Sequence, residues 1–368
     1  MKVLIAPDKF KGTLTAAQAA EAIARGWRSA RPQDNLDLLP MSDGGDGFGE
    51  VMSLLMNATP QPARAIDAAH RPCEAIWWWD RESETAIVES ARVVGLANLP
   101  PGKYHPFELD TLGLGQLLKI VADHGARRCL IGIGGSATND GGVGMARALG
   151  WIFLNRQGEK IERWAELHHL SQIHRPESAA LFDELIVAVD VQNPLLGPEG
   201  CTRIYGPQKG LRPDDFDLAE RCLEELTNVL QKQFAIDFSR EPGAGAAGGL
   251  GFGLCSFAVA RLLPGFELFA EHSRLPRRLK AAELVITGEG AIDRQTLMGK
   301  GVGQIAKLCV EAGVACWGLA GMAQEQDKGS FDRLYRLTEL TTAEEAINKA
   351  AQWLEQLASL AAKQYDTH

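Results

Sequence analysis

No pair of cysteines stands at C-x-x-C spacing in this chain, and its seven cysteines (73, 129, 201, 222, 255, 309 and 316) are scattered and odd in number. That pattern argues against a disulfide framework and a zinc site, and for a reducing compartment in which thiols pack as small hydrophobes. A Walker A sequence is also missing. Its nearest approach, Gly299-Lys300-Gly301, has Arg294 where the first glycine belongs, so a P-loop NTPase is not expected. No stretch is long and apolar enough to span a bilayer, and the apolar part of Met1 to Lys9 is too short for a signal peptide, so a cytoplasmic protein without membrane partners is expected. Positive charge is in deficit, with 38 Lys and Arg against 47 Asp and Glu. The net charge of −9 argues against nucleic acid as a partner, but not against a small anionic substrate held in a locally positive pocket. His168, His169 and His174 lack metal-ligand spacing and read as solvated loop residues. No internal repeat or low-complexity tract is evident.

What is present is ordinary in bulk, 45% hydrophobic and 23% charged, on a chain of 368 residues that exceeds a single core. The first sixty residues read βαβα: a strand at Val3 to Ala6, a helix over Thr15 to Arg28, a strand at Leu36 to Met41 and a helix at Phe48 to Met56. From Pro60 the pattern changes to short strands at 64–69, 75–79 and 85–89, an antiparallel or mixed patch in which Trp77-Trp78-Trp79 turns at least one ring outward. Alternation returns with a helix from Leu114, a strand at Cys129 to Ile133, a helix at Val143 to Leu149, a strand at Leu185 to Val189 and a long helix at Asp215 to Phe234. Strands at 283–287, 315–320 and 334–337, a helix at Gly303 to Ala312 and a final helix over Ala343 to Ala362 close the chain. The fold class expected is α/β. Residues 1–60 and 272–368 would form a Rossmann-like parallel-sheet domain, and 61–271 an inserted α/β domain with mixed strands, the site lying in the cleft between them.

The richest segment is Gly134-Gly135-Ser136-Ala137-Thr138-Asn139-Asp140-Gly141-Gly142, set between an apolar strand and a helix. Glycines let a ligand approach the backbone, and the unpaired N–H groups of a first helical turn attract anions. A helix cap needs only one residue such as Asn139 or Asp140, so this density of glycine and polar side chains favours a ligand loop.

Other strand ends carry polar residues too. Asp8-Lys9-Phe10-Lys11 follows the first strand and Ser42-Asp43-Gly44-Gly45 the second, and ends of neighbouring parallel strands face one crevice. Carboxylates there, Asp43 among them, could hold Mg²⁺, and lysines could meet phosphate. Asp43 reads equally as a helix cap. Asp190 leaves an apolar strand ahead of Asn193-Pro194, placed either as a base for a substrate hydroxyl or in an Asx-turn. A further loop, expected over 287–296, presents Gly288, Glu289 and Asp293, and leads to Lys300 at a glycine-flanked helix start. Gly243 to Gly248 matches G-x-G-x-x-G but follows Ser239-Arg240-Glu241-Pro242 rather than a strand, so close packing explains it better than a dinucleotide.

Taken together and in order, seven segments resemble the bacterial glycerate kinase family, the two-domain α/β type unrelated to sugar-kinase and P-loop folds. They are Ala6 to Gly12, Ser42 to Gly47, Gly134 to Gly142, Asp190 to Gly197, Arg203 to Gly210, Pro242 to Gly249 and Thr287 to Lys300. The resemblance implies ATP and Mg²⁺ as cofactors, D-glycerate as the small-molecule substrate, and 2-phosphoglycerate as a frequent product. It also implies that Asp190 is the general base, and Lys9, Lys11 and Lys300, from their placement, are the candidates to neutralise phosphate charge. A monomer or homodimer is expected. Ala291, Gln192 and the Leu112 and Leu114 pair depart from the family's usual residues, which keeps a related hydroxy acid open as the substrate. A nicotinamide-dependent oxidoreductase remains the alternative from another class.

Overall fold

Val3, Leu4 and Ile5 are sealed from solvent, as a strand covered on both faces requires. In the computed structural model, which describes residues 1–178, 180–297 and 301–365, the Lys2–Ile5 strand lies between Leu284–Ile292 and Asn35–Leu38 in a five-stranded parallel sheet. Ala315–Ala323 and Arg333–Arg336 complete it, in parallel register throughout. The Ala16–Ala30 helix starts at a capping box in which Thr15 and Gln18 each satisfy the other's backbone N–H. It packs on Ala350–Lys363 closely enough that a Cβ at Gly26 would overlap the Glu355 carbonyl. Trp27, Trp317 and Tyr365 form an aromatic cluster beside them.

The chain divides into two compact units, residues 1–43 with 266–368, and residues 44–265. The second has a six-stranded sheet ordered Arg261–Pro264, Glu184–Val189, Arg128–Gly132, Thr85–Glu89, Pro72–Asp80 and Thr59–Ile66. The first four strands run parallel and the last two antiparallel, and a separate hairpin pairs Ile152–Asn155 with Leu170–His174. Each unit has its own apolar core, one centred on Val88, Ile131 and Val187, the other on Val3, Ile286 and Leu319. No helix among the described residues is long and apolar enough to cross a membrane.

Most element positions follow the sequence reading. His168, His169 and His174 are exposed as expected, but they end the Trp164–His169 3-10 helix and the Leu170–His174 strand rather than lying in a loop. Three other stretches differ. The loop expected over 287–296 is largely strand: Leu284–Ile292 pairs with Ala315–Ala323 as far as Ile292 opposite Ala323. Gly288 and Gly321 allow it, since a Cβ at either would collide with a carbonyl of the neighbouring strand. The final helix is two, Ala343–Asn348 and Ala350–Lys363, broken at Lys349 with φ −131° and ψ 39°. The tryptophan triplet has no fully outward ring. Trp77 and Trp79 enclose His124 on one face, and Trp78 is buried beneath Arg92 on the other.

Candidate active site

In the first unit, the chain leaving Lys2–Ile5 is tied to both neighbouring strand ends. Asp8 N–H donates to the Gly288 carbonyl at 2.8 Å, and Met41 N–H donates to the Pro7 carbonyl at 2.9 Å. Asp8 is thereby tucked in at 9% exposure, with one carboxylate oxygen accepting from Lys9 N–H at 2.7 Å. Burial, reinforced by the charge of Asp43 and more weakly of Glu289, pushes its carboxyl up to about 7 against the pull of Lys9. Asp8, Lys9, Asp43 and Glu289 therefore share one electrostatic neighbourhood, although Glu289 reaches it from a strand rather than a loop. Thr296 Oγ1 donates to Glu289 Oε1 at 2.7 Å, and Asp293 accepts from Thr296 N–H at 3.3 Å where the short Arg294–Leu297 helix begins. Lys11 is exposed on a turn that Gly12 closes at φ +79°, and Lys300 lies outside the described residues.

The carboxylates of Asp8 and Asp43 are of the oxygen type that suits a hard cation. Among the described residues, no three His, Cys, Asp or Glu side chains gather closely enough to hold a metal by themselves. A magnesium ion commonly takes one or two carboxylates and fills its remaining positions with water and phosphate, so this sparse set fits it.

In the second unit, the Gly134 to Gly142 loop joins Arg128–Gly132 to the Val143–Ala148 helix. Gly134 N–H donates to the Gly44 carbonyl at 3.4 Å, and a Cβ on Gly134 would sit 2.6 Å from Gly45 Cα, so the two glycine turns fit together. Gly135 is the exposed part of the loop, and Ser136, Thr138, Asn139 and Asp140 are buried. The expectation of free N–H groups on the following helix does not hold. Asp140 Oδ2 accepts from Thr111 N–H (3.0 Å), Thr111 Oγ1 (2.8 Å) and Gly144 N–H (2.9 Å), and Oδ1 accepts from Gly142 N–H (3.2 Å). Thr111 Oγ1 in turn accepts from Met145 N–H at 2.8 Å. Asp140 thus caps its helix and ties it to Leu112–Asp123, while burial and Asp110 raise its carboxyl above the ordinary range. Ser136 and Thr138 hydroxyls pair at 2.9 Å, and Asn139 Nδ2 donates to Thr202 Oγ1 at 3.2 Å.

Asp190 is exposed at the end of Glu184–Val189, whose residues from Leu185 to Val189 are all buried. It lies near enough to Tyr205 that its charge, after burial, helps push the phenol up to about 12. Tyr205 Oη donates to Asn193 Oδ1 at 2.6 Å, and Asn193 Nδ2 donates to the Glu199 carbonyl at 2.8 Å. Asn193 is thus engaged in shaping the turn that follows Asp190. The glycines at 243–249 do pack closely: a Cβ at Gly243 would press on Val189, at Gly245 on the Pro194 carbonyl, and at Gly248 on the Thr138 carbonyl.

A sequence model of the glycerate kinase family matches residues 3–366. The chain belongs to the glycerate kinase family. It is 36% identical to the glycerate kinase of Halalkalibacterium halodurans over 364 residues, covering 97% of this chain and 96% of that protein. The glycerate 2-kinase of Escherichia coli K12 is 36% identical over 313 residues, 83% of this chain and 82% of its own length. A crystal structure described as glycerate kinase 2 from Salmonella typhimurium LT2 matches with a TM-score of 0.83 at 31% identity, covering 100% of this chain and 98% of that one. Membership of this family makes the protein a kinase.

Sequence reasoning passed over Lys209, Thr111, Thr202 and Glu89 as individuals. Glu89 accepts from Gly47 and Gly49 N–H at 3.1 and 3.2 Å, occupying the start of the Phe48–Met56 helix that a ligand could otherwise use. A lone acidic residue at a strand end signals this only once its partner helix is known.

Proposed function

We propose that the protein transfers the γ-phosphoryl group of ATP to the 2-hydroxyl of D-glycerate, giving 2-phosphoglycerate and ADP. The observation that carries this reading is Asp190, an exposed carboxylate ending a buried strand in a chain of a kinase family. Asp190 accepts the hydroxyl proton as the substrate oxygen bonds to phosphorus and the bond to the ADP oxygen breaks. The exposed Gly135 of the 134–142 loop offers its backbone to the glycerate carboxylate. Lys9 and Lys11 offset the phosphate charge. Asp43 and Asp8 would hold Mg²⁺, which when bound neutralises charge on the ATP phosphates.

The oxidoreductase alternative is disfavoured because the glycines at 243–248 follow no strand and are used up in close packing. The test is an assay with ATP, Mg²⁺ and D-glycerate, coupled to enolase in the absence of mutase. A signal from wild type and a loss of 10²-fold or more in kcat for Asp190→Asn, with an unchanged circular dichroism spectrum, is the expected outcome. ADP release without an enolase signal would move the product to the 3-position. Turnover confined to another hydroxy acid would replace the substrate, and near-wild-type kcat in D190N would remove Asp190 as the base.

A further inference from the structure

Lysine at the end of a helix ordinarily reaches water, yet Lys209, last residue of Cys201–Lys209, is only 6% exposed. Its Nζ donates to the Thr138 carbonyl at 2.6 Å, in the middle of the 134–142 loop. The 246–249 segment closes over this contact. Ala247, Gly248 and Gly249 all adopt positive φ, and Gly141 N–H donates to the Gly248 carbonyl at 3.1 Å. A Cβ on Gly248 would overlap Thr138 O and come within 2.7 Å of Asn139 Cα and 2.8 Å of Lys209 Nζ. Three segments distant in sequence therefore meet at one peptide group.

That peptide is trans, so its carbonyl and the Asn139 N–H point in opposite directions. An ammonium on the oxygen fixes the plane of the peptide and polarises it, strengthening the N–H as a donor on the side away from the lysine. Beside it, Asn139 is wholly buried and its Oδ1 has no hydrogen-bond partner among the described residues, a buried acceptor left open next to the held peptide.

We propose that Lys209 is a positioning residue, whose charged amine holds the 134–142 loop in the shape that receives the substrate anion. The inference rests on the loop's role under the proposed function. The titratable groups acting on Lys209 are Asp140 from the loop, which favours the ammonium, and Cys201 from its own helix, whose buried thiol is pushed up to about 12 and so stays neutral over this range, while the 246–249 segment brings no titratable side chain. Burial outweighs them and lowers the amine to about 8.

The signs separate function from stability. With a folded-state value below the unfolded one, this group lets stability rise with pH between about 8 and 10.5. Over the same interval the ammonium becomes a neutral amine, which still donates to the Thr138 carbonyl but without the charge that strengthens and polarises that contact. Wild-type kcat/KM for glycerate should therefore fall above pH 8 while the melting temperature, corrected for the K209M background, does not.

The test measures kcat and KM for both substrates across pH 6–10 in wild type, Lys209→Met and Lys209→Arg. K209M should keep its fold and lose about 100-fold in kcat/KM at pH 7, the scale of a misplaced binding loop. K209R, which keeps its charge, should recover part of that activity and lack the limb near pH 8. K209M within threefold of wild type, or the same basic limb persisting in K209R, would overturn the inference. If K209M does not fold, the wild-type and K209R profiles decide alone. Wild type failing to phosphorylate glycerate at all would instead strike the proposed function.

Discussion

A carboxyl group enclosed beside two others resists ionisation, and Asp8 is in that position. Its folded-state value of about 7 lies well above the 3.8 of an ordinary Asp, with burial the first cause and Asp43 the second. A raised value means that the stability tied to protonated Asp8 is fully present below pH 3.8 and lost as pH rises through 7. Above that, the charged side chain costs on the order of 4 kcal/mol relative to a neutral one. Asp8→Asn keeps an oxygen to accept from Lys9 N–H and removes the charge. In EDTA at pH 8.5 the variant should melt several degrees above wild type, with the gap closing towards pH 4, while kinase activity falls. Equal melting temperatures at pH 8.5 would show that Asp8 is not strained by its setting. Residues of this kind were only half legible in the sequence. Asp8, Asp43 and Asp190 announced themselves as polar groups ending apolar strands. Lys209 did not, because a lysine at a helix end reads as solvated until the segment that buries it, forty residues on, is known.

At the scale of elements, period and punctuation predicted the strands and helices whose neighbours are simple. Phe48–Met56 begins and ends where its apolar spacing says it should, and Thr15 marks the start of Ala16–Ala30. Glycine misleads where it serves pairing rather than turning, which is why Gly288, expected in a loop, lies in a strand. The 134–142 loop shows the same ambiguity in its polar residues. Asp140 reads as a ligand or as a cap, and only the position of Thr111, 29 residues earlier, decides for the cap. Thr111 is thus the joint between two helices: its hydroxyl donates to Asp140 and accepts from Met145 N–H, all of it buried. Thr111→Val preserves shape and removes both bonds, leaving a buried N–H without an acceptor. The expected loss is about 2–3 kcal/mol in urea denaturation. A loss under 0.5 kcal/mol would mean that another group takes over the joint.

For the whole molecule, the arrangement of the chain carries a consequence for folding. Residues 44–265 interrupt the first unit, and both ends of that insertion lie by the same strand end of its own sheet. A Cβ on Gly44 would stand 3.1 Å from the Ala188 carbonyl carbon, and Leu263 and Pro264 pair with Ala188 and Val189. Neighbouring ends and a separate core are what let a domain be inserted into another without either losing its fold. Among the described residues, the large cluster around Val88, Ile131, Val187 and Leu223 draws none from the first unit. A fragment of residues 44–265, expressed alone, should therefore fold and unfold in one cooperative transition, with Trp77 and Trp164 shielded from acrylamide as their burial requires. Its 134–142 loop, whose partners Thr111, Thr202, Lys209 and Gly248 all lie within the fragment, should resist proteolysis in the fragment as well as in the full chain. A broad, non-cooperative melt would show that the core of the second unit depends on the first. In that case the insertion would be one of sequence alone, and the loop's shape would have to be supported from outside the segment that contains all of its observed bonds.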